Sequence, residues 1–183
     1  MMPPPFAGMS ETWPPMPFAD ASFSLAVCQQ AQQYFPDEST ALREIRRVVA
    51  PQGRFALTIW TGAGPFFTAL ADAIGRHVSR DAAQQSLAPF AHARLKSLPE
   101  QLEQCGFCDV SVRQLTIDRT ITHAEVSIPK EIMGNPVGAT VAARGKYVMS
   151  MIVGDVIAAC RDYSRGPDLI MPQQVNLFTA SVR

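Results

Sequence analysis

Phe23-Ser-Leu-Ala-Val-Cys28, then Tyr34-Phe-Pro-Asp37, Ala41-Leu-Arg-Glu-Ile-Arg-Arg-Val-Val49, Pro51-Gln-Gly53 and Phe55-Ala-Leu-Thr-Ile-Trp60 read in order as strand, turn, helix, breaker and strand. The first run is short and apolar, the pattern of a strand buried on both faces of a parallel sheet. Asp37 to Ser39 offers capping residues ahead of Ala41, Leu42, Ile45, Val48 and Val49, which share one helical face, while Arg43, Glu44, Arg46 and Arg47 fall largely outside it. Pro51 and Gly53 are expected to stop that helix, and Phe55 to Trp60 has the length of a second strand. Strand, helix and strand of this size make a βαβ unit with a right-handed crossover, so the fold class is α/β.

Working outward, the chain has 183 residues, enough for one domain with a sizeable core and short for two. Lys plus Arg number 16 and Asp plus Glu 16, so the chain lacks the basic field that nucleic acid or an acidic membrane surface would require. No apolar run approaches the ~20 residues of a membrane span, and the N-terminus has no basic stretch leading into an apolar one. The expected location is the cytoplasm.

Residues 1–17 are dense in proline, which excludes a helix interior or a central strand and predicts an extended arm. The arm either stays solvated or lies on an apolar surface through Phe6, Trp13 and Phe18. After Trp60, Pro65 opens a predicted helix whose apolar side is Phe66, Phe67, Leu70, Ala73, Ile74 and Val78. Gly62 and Gly64 lack the further glycine or lysine of a phosphate cradle and read as a loop. Helical character recurs around Asp81 to Leu87 and again, capped by Ser97, up to Cys105. Val110, Val112, Leu115, Ile117 and Ile121 predict a long strand with one bulge. Residues 129–165 are helical in pattern, and their methionines Met133, Met149 and Met151 belong either to core or to an adaptable pocket. Val175, Leu177 and Thr179 predict a last strand, antiparallel to the others.

Cys105-Gly-Phe-Cys108 has the spacing of a redox pair or half a zinc site, but it straddles a predicted helix-to-strand turn and has no second Cys/His pair, so the structural reading is favoured and no metal site is assigned. His77, His92 and His123 stand singly and are read as surface or structural. No nucleophile has a base near it in sequence, and the catalytic residues stay unassigned.

Residues 16–30, Tyr34 to Asp37, 41–54 and Cys105 to Val110 together resemble class I S-adenosylmethionine-dependent methyltransferases of the UbiE-like, small-molecule kind (methyltransferase type 11), over roughly residues 16–121 and the final strand. The resemblance implies strands four to seven of a Rossmann-like sheet in the order 4-5-7-6, a partial domain over residues 18–183, and a helical substrate-side insertion at about 129–165 before the last strand. The implied cofactor is S-adenosylmethionine. Cys28, Gln29 and Gln30 fall where the family contacts the cofactor's methionine end, and Tyr34, Phe35, Trp60 and Met133 are the candidate substrate contacts. The chain departs from the family at identifiable places: the glycine-rich cofactor turn and the acidic ribose contact have no counterpart, Thr12 stands near the acidic adenine contact, Ser24 replaces a usual Asp, and Gln52 a usual Gly. The expectation is a methyltransferase-like protein that does not bind S-adenosylmethionine by itself in the family's usual way. The alternatives are a non-catalytic partner of an intact homologue, and a small-molecule-binding protein or non-methylating enzyme such as a cyclase. In that sheet order the strand Phe23 to Cys28 becomes an edge, expected to be covered by a second copy (a dimer), by the arm, or by a separate chain.

Overall fold

The computed structural model describes residues 14–91 and 96–183. Most of the proline-rich arm, with Phe6, Thr12 and Trp13, and also His92, lie outside the described residues. The elements are β1 (Phe23–Gln29), α1 (Glu38–Val48), β2 (Val49–Trp60), α2 (Gly64–His77), α3 (Arg80–Ser86), α4 (Leu98–Gln104), β3 (Cys108–Ile121), α5 (Ala124–Gly134), α6 (Gly138–Ala142), α7 (Gly145–Ala159), β4 (Ser164–Arg165) and β5 (Asp168–Ser181). The sheet runs β1-β2-β5-β3, with β4 paired to β5, which is the expected order 4-5-7-6. β1 and β2 are parallel, with Ala26 against Phe55 and Cys28 against Leu57. β5 runs against β2: the Gln52 amide donates to the Val182 carbonyl at 2.8 Å, and further along the same strands Thr61 donates to Gln174 at 3.1 Å.

Helix α1 starts where its cap chemistry places it. The Asp37 carboxylate accepts from the Thr40 amide at 3.0 Å and the Thr40 hydroxyl at 2.6 Å, and that hydroxyl bond leads the interactions holding the Asp37 pKa down. Ala41, Leu42, Ile45 and Val48 are buried. The exit differs from expectation. Pro51-Gln-Gly53 is not a loop between helix and strand but lies inside β2, which follows α1 directly. Phe23 pairs with Val49 and Leu25 with Arg54, so residues 50–53 bulge from β1, and Val182 bonds both Gln52 and Gly53. Gln52 has φ +65°, the left-handed geometry that favours glycine. Gly53 answers to space instead, since a Cβ there would stand 2.6 Å from Val49 Cγ1 and 2.7 Å from the Ala50 carbonyl.

The chain divides into two compact units, one of residues 14–59, 96–114 and 176–183, the other of residues 60–91 and 115–175. In the first, Leu42 and Ile45 of α1 and Leu98 and Leu102 of α4 pack with Phe55, Leu57, Ile59 and Phe178 of the sheet, and Phe55 stacks on Phe107 at 5.2 Å. In the second, α2 supplies Phe66, Leu70, Ala73 and Ile74 against Ile128, Ile132, Val141, Ile152 and Val156. The predicted helical region of residues 129–165 therefore begins earlier, at Ala124, and consists of α5, α6 and α7, with Pro129 inside α5.

Two strands depart from the predicted alternation. β5 begins at Asp168 and buries Leu169, Met171, Gln173 and Val175, then changes phase to bury Phe178, Ala180 and Val182. Thr179, expected inward, is exposed, because the burial alternation changes phase at Asn176 and Leu177, both half-buried, where one unit's residues give way to the other's. On β3, Val112 and Ile117 are exposed. Ser97 occupies the N-cap of α4 without a side-chain cap bond.

Candidate functional site at the carboxyl end of β1

Five of the predicted residues sit within one short stretch of the first unit. Cys28 is the last buried residue of β1, Gln29 ends the strand exposed, and Gln30 turns the chain through a left-handed φ of +53° while its amide donates to the Thr58 carbonyl at 3.0 Å. A 3-10 turn, Gln32–Tyr34, follows at once, closed by Tyr34 donating to Ala31 and Phe35 to Gln32, each at 3.0 Å. Tyr34 is exposed, and Phe35 packs on the core. This is the position, beyond a strand's carboxyl end, at which open α/β sheets hold ligands.

Burial pushes the Cys28 thiol above its ordinary pKa, partly opposed by the Ala31 and Gln32 amides. A buried neutral thiol is a packing group and not an activated nucleophile. Thr58, which the sequence reading passed over, pairs with Gln29 across the sheet, and its buried hydroxyl has no hydrogen-bond partner among the described residues. The signal for it was register: the residue opposite Gln29 in the next strand carries the neighbouring side chain on the same face.

Trp60 and Met133 belong to the other unit, where Met133 is 54% exposed on α5. That unit contains a cavity of about 340 Å³ lined by residues including His123, Glu125, Val126, Ile157 and Asp168. A groove of about 460 Å³ between α5 and α7 has Pro129, Lys146, Met149 and Val153 in its walls. Of the three methionines considered for a pocket, Met149 lines this groove. Arg119, also unpredicted, bonds Glu131 at 2.6 Å with its guanidinium 4.7 Å from the Phe67 ring centre, and its Nε is buried without a hydrogen-bond acceptor.

The remaining motifs resolve as structure. His77 bonds Asp155 at 2.8 Å and joins α2 to α7; this bond, with Arg76 beside it, holds the Asp155 carboxyl below its usual range. Cys105 faces the Ser39 carbonyl and Cys108 the Ser181 carbonyl, so the two thiols point to different partners and are free. Gly62 and Gly64 seat the buried Gln173 amide, whose Nε2 donates to the Gly62 carbonyl at 2.9 Å; Gly64 has φ +64°, and any side chain there would run into that amide. Among the described residues no group of three or more His, Cys, Asp or Glu is placed to hold a metal, and no helix is long and apolar enough to cross a membrane.

Residues 9–57 match the family profile described as a methyltransferase domain. Among solved structures the chain is similar to the YcgJ protein from Bacillus subtilis (17% identity, TM-score 0.48), covering 92% of this chain and 67% of that one. It is likewise similar to a putative methyltransferase from Bacillus halodurans (15% identity, TM-score 0.47), covering 91% of this chain and 67% of that one. A third is the [4+2]-cyclase SpnF, at 18% identity and TM-score 0.38, covering 91% of this chain and 52% of that one. No curated protein sequence matches. The profile and the residues quoted from the sequence coincide over β1, α1 and the start of β2, and the chain is methyltransferase-like in this sense.

Proposed function

We propose that this chain supplies the strand-four-to-seven side of an S-adenosylmethionine-dependent methyltransferase site for a small apolar substrate, and that the 183 residues alone do not hold the cofactor in the family's usual way. The observation that carries the reading is the left-handed turn at Gln30 beyond the carboxyl end of β1, in a sheet ordered β1-β2-β5-β3. Gln29, Gln30 and the unpartnered Thr58 hydroxyl fit the polar methionine end of the cofactor, offering neutral donors and acceptors. They do not fit its adenosine end, since no acidic residue and no glycine-rich turn stands in the chain from Ala21 to Pro36.

When bound, the cofactor supplies an electrophilic methyl group. The residues of this chain orient and exclude water: the left-handed Gln30 turns the chain at the strand end, Phe35 packs beneath it, and Tyr34 stays exposed for a substrate. Titration calorimetry of the isolated chain with S-adenosylmethionine and with S-adenosylhomocysteine tests the reading. No saturable heat is expected, and stoichiometric binding of either molecule overturns the claim that the chain is insufficient alone.

A second reading, binding of a small molecule without methyl transfer, is favoured by the two cavities beside α5. A Val153→Trp variant, which fills the groove, is the test: loss of binding for an apolar probe such as anilinonaphthalene sulfonate supports that reading, and unchanged binding sinks it.

A further inference from the structure

We infer that the cavity lined by Glu125 and Asp168 holds the ammonium head of an amine whose apolar chain lies along the groove between α5 and α7. The inference rests on the second reading above, that these two cavities take a small molecule, and it names the class of that molecule.

The cavity of about 340 Å³ and the groove of about 460 Å³ adjoin at Glu125 and Ile157, which line both. All of their lining residues belong to the second unit. Each volume falls in the range of small-molecule sites, and the shared wall lets one ligand occupy both.

The head end is acidic. Glu125 and Asp168 line it, and none of its lining residues is a lysine or an arginine. Asp168 is held in place: its Oδ1 accepts from the His123 amide at 2.7 Å, which leaves Oδ2 to accept from a ligand. Ile157 stands in the last turn of α7, the end at which a helix dipole is negative, and that turn has no basic side chain. The arginines nearest in sequence are engaged elsewhere, Arg161 with Asp162 at 3.7 Å and Arg165 with the Ser164 carbonyl at 2.8 Å. An ammonium group carries positive charge and only donates, so it matches two carboxylates beside a helix carbonyl end. A carboxylate or phosphate head would be repelled there.

The chain end is apolar and of definite length. Met149, Val153 and Ile157 recur at every fourth residue of α7 and make one row about 12 Å long. Pro129 of α5 lines the same groove. Gly154 lines it without a side chain, and a Cβ there would meet nothing within 4 Å. Lys146 stands one turn beyond Met149, where it repels an ammonium group and so sets the direction, head at Glu125 and chain towards Lys146. Decylamine has an unbranched chain of the length of this row.

Three probes that share that chain and differ in the head, decylamine, decanol and decanoate, test the inference by titration calorimetry of the full chain at low salt, below the concentrations at which the probes form micelles. Decylamine should bind about tenfold tighter than decanol, because a charge-assisted hydrogen bond is roughly twice as strong as a neutral one, and decanoate should bind most weakly. Glu125→Gln should lower decylamine affinity about threefold, the scale of an exposed ion pair, and leave decanol unchanged. Gly154→Leu, which fills open groove and replaces a poor helix former with a good one, should weaken all three probes alike. Equal affinity for decylamine and decanol, or decylamine binding indifferent to Glu125→Gln, overturns the inference and leaves the second reading standing. Tightest binding by decanoate puts the head at Lys146 and overturns it too, as does unchanged binding in Gly154→Leu. No binding of any probe overturns the second reading and the inference with it. The order of the three heads on the unaltered chain needs no variant, so a variant that fails to fold does not rescue the idea.

Discussion

The two edges of the sheet are built on opposite principles. β3 has a charged residue, Asp109, at its start in a left-handed turn (φ +53°), and Arg113 in the same unit. Its Asp109 lies 3.8 Å from the Arg183 guanidinium, and Ser111 bonds the Thr179 hydroxyl at 2.8 Å across to β5. Charge, kink and polar cross-strand contacts are what an edge uses to refuse another strand. β1 has none of these within it, and its sequence is that of a strand with neighbours on both sides. The difference teaches that the two strands ending the described sheet are distinguished by their own residues: Phe23–Gln29 is uncharged, whereas β3 carries Asp109, Arg113, Asp118 and Arg119.

The largest effect should come from what the two edges share. Phe55 lies opposite Ala26 of β1 and stacks on Phe107, which leads into β3. Phe55→Ala should cost about 3–5 kcal/mol, read as a fall in the urea midpoint, with amides of both edges losing protection together. If only β1 loosens, the edges are energetically separate and the shared-core account fails. Smaller in size is Thr58→Val, which removes a buried hydroxyl that has no partner while keeping the shape. It should stabilise by about 1 kcal/mol, and a loss of stability would mean that the hydroxyl is satisfied in solution. The third effect concerns backbone. Gln52, beside β1, and Asp109, in β3, both adopt positive φ. Gln52→Gly should stabilise by about 0.5–1 kcal/mol, while Asp109→Gly should gain less, since Asp tolerates this geometry better than Gln. Equal shifts in melting temperature would argue against that difference.

Much of this was legible in the sequence, for identifiable reasons. The β1-α1-β2 unit was readable because Asp37 caps, Ala41 to Val48 keep a helical period, and the flanking runs are apolar. The strand order followed from the resemblance carried by residues 16–54 and 105–110. The bulge at Gln52 was not readable as such: Pro51 and Gly53 signal a break, but only the bonds from Val182 show that the break lies inside a strand. The phase change in β5 was also hidden, because Leu177 and Phe178 are both apolar and only the two separate cores decide which one turns inward. Of the candidate site, Cys28 to Phe35 was found as a contiguous segment, whereas Thr58 depends on register and Arg119 on tertiary packing. Neither is recorded by local pattern.

The smallest expected effect concerns the segment that leads into β1, and it separates the two edges by pH. Arg47 holds Glu44 at 2.6 Å, Asp20 at 2.5 Å and the Phe18 carbonyl at 2.8 Å, and Glu44 in turn accepts from the Met16 amide at 2.7 Å. Charge-assisted hydrogen bonds from Arg47 bring the Glu44 carboxyl down to about 2. A carboxyl whose folded pKa is depressed contributes stability that is present above its unfolded value and is lost as pH falls through the folded one. The tether of residues 16–21 should therefore be intact above about pH 4.5 and should release progressively towards about pH 2, the range between the ordinary and the folded values. Pepsin, active throughout that range, should cut near Phe18 increasingly as pH falls, and Glu44→Gln should show the same cutting already at pH 4. The approach to β3 from α4 is held instead by Arg46, whose Nε donates to the Gly106 carbonyl at 3.0 Å, a bond without a carboxylate, so cleavage there should not follow the Glu44 titration. Cutting at Phe18 that is flat with pH, or identical in wild type and Glu44→Gln at pH 4, would remove the ion pair as the anchor of the β1 edge and leave Met16 packing on the core as what holds the segment.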